Sequence, residues 1–176
     1  MKRIKQKRLV SLQNNDSDPD SGVFYYKSEH YDIITTVFPS ECFDDGITHY
    51  AVFQNAYIKT RSKKPERKTF LIFDIENINS SNFSLKGLKS FCDTHTGNKG
   101  IYKDILYGTF VKISDSGFLQ FLLPFFEKFY TPVKPLRIST DWNEMDTFVK
   151  DCVAGRLGLQ VSTNSDKAIP DPKNTK

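Results

Sequence analysis

The chain has 176 residues, 38% of them hydrophobic and 14% aromatic, with fifteen Phe and eight Tyr, enough large side chains to fill the core of one ordinary domain. No stretch approaches the roughly eighteen apolar residues of a membrane span, and the charged start Met1–Arg8 lacks the apolar run of a signal peptide. These features argue against membrane, collagen-like and coiled-coil classes; three widely spaced cysteines (Cys42, Cys92, Cys152) argue against a disulfide scaffold and for a cytoplasmic setting, and a net charge of +4 leaves polyanions unrepelled.

Residues 1–21 read as a flexible arm, basic at Lys2, Arg3, Lys5, Lys7 and Arg8 and acidic over Asp16–Asp20. Residues 22–161 read as one folded domain, and 162–176 as a disordered tail. Val23–Tyr26 and Tyr31–Phe38 are rich in β-branched and aromatic residues and predict strands, the second closed by Pro39. His49–Thr60 and Thr69–Glu76 predict two more, joined by the charged loop Arg61–Arg67 as a β-hairpin with its basic tip in water. Residues 77–107 receive no role beyond a flexible turn at Thr96–Gly100. Asp115–Gly117 starts a helix whose Phe118, Phe121, Leu122 and Phe125 recur at helical spacing, with Pro124 expected to kink or end it. Thr140 or Asp141 caps a shorter helix that places Met145, Phe148, Val149 and Cys152 on one face, and Gly155 stops it before a closing strand, Arg156–Val161. The expected fold class is α+β: a mostly antiparallel OB-like barrel or curved sheet with one apolar helix and one short C-terminal helix.

Single-stranded nucleic acid is held by cations along its backbone and flat rings under its bases. Residues 59–68 carry Lys59, Arg61, Lys63, Lys64, Arg67 and Lys68 against one acid, Glu66. Tyr50, Phe53 and Tyr57 flank them on one side, Phe70 and Phe73 on the other. On a regular strand Tyr57, Lys59 and Arg61 would share a face, so the expected contact set is Tyr57, Lys59, Arg61, Lys63, Lys64, Arg67 and Lys68. The segments Ser116–Leu123 and Met145–Val161, with the paired strands from Tyr50 to Glu76, are similar to phage-type single-stranded DNA-binding proteins. That resemblance implies an OB-like barrel and non-catalytic DNA binding in replication or recombination, with no cofactor.

Two other readings stand beside it. Phe70–Asn77 resembles the opening strand of NYN/PIN-like ribonucleases. That resemblance implies a metal-dependent nuclease with Asp74 and Glu76 as ligands, completed by Glu144, Asp146 and Asp151. A viral or accessory protein-interaction module is the third, and the Phe-rich helix could bury against a second subunit to form a homo-oligomer. Cys92 and His95 have Cys-x-x-His spacing without a second pair, Cys42 and His49 stand alone, and His30 and His49 read as structural histidines among strand aromatics.

Overall fold

In the computed structural model, which describes residues 7–12, 20–40, 43–159 and 161–163, the two early β-rich runs form the antiparallel strands β2 (Gly22–Lys27) and β3 (Asp32–Val37). Lys7–Val10, expected in the arm, pairs antiparallel with β2 as β1. The remaining elements are α1 (Phe43–Arg61), β4 (Thr69–Ile75), α2 (Leu85–Gly97), α3 (Lys99–Ile105), β5 (Leu106–Ile113), α4 (Ser116–Phe129), β6 (Leu136–Ser139), α5 (Glu144–Val153) and β7 (Val161–Thr163). All seven strands form one sheet in sequence order, and every pairing from β3 to β7 is parallel. This overturns the expected fold: the sheet is mixed, mostly parallel and open, with five helices among the described residues, not an antiparallel OB-like barrel with two.

The correction turns on α1. Residues 49–60 have strand-like composition, but Ile47, Tyr50, Gln54 and Ile58 are buried three and four residues apart while Val52 is 70% exposed, which is the stripe of an amphipathic helix. Asp44 and Asp45 in its first turn and Lys59 and Arg61 in its last complement the helix dipole. Parallel strands need a crossover of about a dozen residues or more, and α1 supplies it between β3 and β4, so residues 49–60 and 69–76 do not form the expected hairpin. The unassigned 77–107 stretch is the next crossover. Ser84 caps α2 by accepting a bond from the Gly87 amide at 3.0 Å, and Leu88, Cys92 and His95 form its buried stripe. The expected turn at Thr96–Gly100 is the helical junction of α2 and α3.

The later elements match their signals more closely. Asp115 caps α4, accepting from the Phe118 amide at 2.8 Å, although Pro124 sits inside the helix and does not end it. Gly155, at φ 67°, closes α5, with its amide bonded to Cys152 O and the Arg156 amide to Asp151 O. The final strand, Val161–Thr163, begins at the last residue of the segment expected to form it and runs two residues into the expected tail.

The helices divide between the two faces of the sheet. Helices α1 to α4 pack on Ile34, Leu71, Phe73, Val111 and Ile138. Helix α5 packs on the other face, against Ile33, Phe70, Ile72 and Phe110. Strands buried on both faces read as unbroken apolar runs, as Phe70–Phe73 does. Gly108 lets α5 approach: a Cβ there would lie 2.8 Å from Cys152 Sγ and 2.9 Å from Phe148 Cζ. Among the described residues no helix is long and apolar enough to cross a membrane.

Candidate functional site

The basic segment 59–68 lies where α1 ends and β4 begins, so it forms part of the rim at the amino ends of the parallel strands. Its centre is a buried carboxylate. Asp32, the first residue of β3, is 2% exposed. A buried charge of this kind persists only when paired and hydrogen-bonded. Arg67 Nε donates to Oδ1 at 2.7 Å, Arg61 Nη2 lies 3.2 Å from Oδ2, and the Tyr25 hydroxyl donates to Oδ1 at 3.0 Å. The Arg67 fork also donates to the carbonyls of Ser28, Glu29 and Tyr31, and Arg61 donates to the carbonyl of Arg67. Tyr57 shares a 2.7 Å hydrogen bond with Thr69, and burial pushes its phenol up. Of the seven expected contact residues, Arg61 and Arg67 therefore tie the α1–β4 turn to the start of β3, and Tyr57 ties α1 to the first residue of β4.

The other four have a different setting. Lys59, Lys63 and Lys64 are exposed, Lys68 is half-buried, and none is ion-paired among the described residues. On the helix, Lys59 lies on a different face from Tyr57 and Arg61, where strand alternation would have put all three on one side. The rings expected to flank the cluster also sort differently. Tyr50, Phe70 and Phe73 are buried in the core, while Phe53 and Tyr57 stack on each other, partly buried. The ring beside the lysines is one the sequence reading passed over. Tyr107, at the start of β5 and half-buried, has the Lys68 ammonium 5.3 Å from its centroid, rests on Phe70 and meets Tyr31 edge-on. Lys134 joins this corner: burial, then the positive charge of Lys68, hold its ammonium below the usual lysine range, with Asp104 opposing.

At the opposite ends of the strands, the chain leaves β5 for one face and β6 for the other, which makes a topological switch point at the carboxyl edge. Asp74, Lys112 and Ser139 stand in register across it on β4, β5 and β6. Lys112 is 3% exposed; its ammonium ion-pairs with Glu76 Oε1, donates to Ile113 O at 2.9 Å and lies 5.8 Å from the centre of the Trp142 ring. Trp142 Nε1 donates to Glu76 Oε2 at 2.9 Å. Partial burial alone would raise the Glu76 carboxyl, but the bonds from Lys112 and Trp142 outweigh it and hold the group below the usual range. Burial and the Glu76 charge push Asp74 up against the Glu76 amide bond and Lys112, which lower it.

This arrangement does not gather the acids that the ribonuclease resemblance implies. Both oxygens of Glu76 are engaged, Glu144 lies 3.5 Å from Arg137, and Asp151 pairs with Arg156 at 2.6 Å. Among the described residues no group of three or more His, Cys, Asp or Glu side chains is placed to hold a metal ion. Cys92 and His95 are both buried. Burial pushes the Cys92 thiol up to about 12 and the His95 imidazole down to about 3, and His95 Nε2 bonds the Tyr50 hydroxyl at 2.9 Å. His30 sits exposed in the β2–β3 turn beside Glu29 and His49 on α1, so neither is a strand histidine; Cys42 lies outside the described residues. Compared with known protein families, curated proteins and solved structures, the chain matches none.

Proposed function

We propose that the chain is a non-catalytic binder of single-stranded nucleic acid. The strand would run along the amino-end rim, its phosphates on Lys59, Lys63, Lys64 and Lys68 and a base on Tyr107. The observation that carries this reading is the set of four lysines without an acid partner among the described residues, one of them over a half-buried ring. Lys134 strengthens it: an ammonium disfavoured by burial and by its neighbour Lys68 is relieved when a phosphate settles on Lys68. Arg61 and Arg67 support the rim from below and do not reach the ligand.

Titration of a fluorescein-labelled oligo-dT strand at several salt concentrations tests this. Four neutralised phosphates give a log–log salt slope of about −3, at roughly −0.7 per contact. Replacing Lys63 and Lys64 together by alanine should weaken binding and flatten the slope by about 1.4. Affinity and slope unchanged in that double variant overturn the reading.

A further inference from the structure

We propose a second binding site, for a neutral polyhydroxylated molecule of monosaccharide size, in the groove between α5 and the β6–β7 edge. The groove has a volume of about 360 Å³, at the lower end of the roughly 300–1,000 Å³ typical of small-molecule sites. It is lined by Arg137, Asp141, Asn143, Glu144, Thr147 and Ser162, with Phe148 at its base. The sheet and α5 set these residues independently. Arg137 on β6 and Ser162 on β7 are in register and face the side on which α5 lies, whereas Asp141 to Thr147 come from the β6–α5 turn and the first turn of that helix.

The polar groups are mixed in kind, and this mixture chooses the ligand. Arg137 Nη1 donates to Thr163 O at 3.2 Å and lies 3.5 Å from Glu144 Oε2, while Nε, although buried, has no hydrogen-bond partner among the described residues. Asp141 Oδ1 accepts from the Asn143 amide at 2.8 Å and from its side-chain amide at 2.9 Å. Asn143 and Thr147 are exposed at the mouth, and Ser162 Oγ donates to Leu136 O at 3.3 Å. One guanidinium is balanced by Glu144, and the charges of Asp141 and of Asp146 in the same first turn oppose an anion that the start of α5 would otherwise favour. A cation finds Arg137 in its way. Vicinal hydroxyls suit the site, because each can donate to a carboxylate while accepting from a guanidinium, amide or hydroxyl.

The test uses the full chain, labelled with ¹⁵N and titrated with a panel of pentoses and hexoses, with inorganic phosphate as the anionic control. At least one sugar should give saturable amide shifts centred on residues 137–147 and 161–163, with a Kd in the millimolar range, and phosphate none there. Thr147→Val, at an exposed position, should leave the melting temperature in place and weaken that sugar roughly tenfold, about the loss expected for one polar contact. Three results overturn the proposal: no saturable shift with any sugar up to about 100 mM; sugar binding that Thr147→Val and Ser162→Ala leave unchanged; or phosphate saturating the groove in place of sugars. Because oligo-dT and sugars are titrated separately, failure here leaves the rim reading untouched, and the reverse.

Discussion

Arg67→Ala separates the structural cations of the rim from those assigned to ligand. The side chain donates to buried Asp32 and to three carbonyls of the β2–β3 turn. Breaking a buried ion pair costs about 3–5 kcal/mol. Here Asp32 keeps Arg61 at 3.2 Å and Tyr25 at 3.0 Å, and the Arg67 side chain is 23% exposed, so water reaches part of the vacated space. A loss of about 2–4 kcal/mol is expected, which in a chain of this size lowers the melting temperature by roughly 5–15 °C. Arg67→Lys should keep most of that loss, since an ammonium restores the charge but not the fork that spans four acceptors. The paired Lys63→Ala, Lys64→Ala variant should melt within about 2 °C of the parent, as exposed substitutions do. Calorimetric melts and oligo-dT titrations well below the transition then give opposite orderings: Arg67→Ala is unstable but binds within about threefold of the parent, and the lysine pair is stable but binds weakly. An Arg67→Ala protein that melts with the parent yet loses affinity would refute the assignment of Arg67 to the scaffold.

Two further outcomes follow from the core. His95 stays neutral in the folded chain, since burial holds it near 3, whereas the unfolded chain takes up its proton below about 6.5. Stability therefore falls as pH drops through that window, by about 1.4 kcal/mol per unit once well below 6.5, or about 2 kcal/mol between pH 7 and pH 5. Asp74, raised on folding, acts with the opposite sign, so the histidine's share is read by comparing the parent with His95→Gln in urea unfolding at pH 5 and 7; His95→Gln should flatten the difference, and an unchanged slope would dismiss this account. Gly108→Ala places a methyl 2.8 Å from Cys152 Sγ and 2.9 Å from Phe148 Cζ, so α5 has to shift. A cost of about 1–3 kcal/mol in urea unfolding is expected, with a change in Trp142 emission as the β6–α5 turn moves; parental stability would show that α5 does not rest on β5 this closely.

What the chain displays locally was readable, and what depends on distant partners was not. Strands β2, β3 and β4, the Asp115 cap and the Gly155 stop all follow from short stretches of sequence. Among the differences, the misreading of 49–60 had the largest consequences. Its aromatic and β-branched composition suggested a strand, whereas the spacing of Ile47, Tyr50, Gln54 and Ile58 was already helical. A helix between β3 and β4 makes them parallel, so that one element decides between an antiparallel barrel and an open parallel sheet. Residues 77–107, left unassigned, are the next repetition of the same crossover.

The candidate rim shows the same division in its charges. As a local count, residues 59–68 hold six cations and look like one cluster. Asp32 lies 35 positions before Arg67, and no local pattern announces that this carboxylate takes both arginines. What remains for a ligand is lysine alone. Lysine is a compact, strongly hydrated point charge without the planar fork that reads base edges or grips phosphate bidentately. A strand held by four such charges and one ring is held by its backbone and by stacking, which every sequence offers equally. The rim reading thus implies affinity that drops steeply with salt and discriminates little among bases. Oligo-dT and a mixed-sequence strand of equal length should bind alike, within about threefold, and a preference of a hundredfold would mean that groups other than these lysines do the recognising.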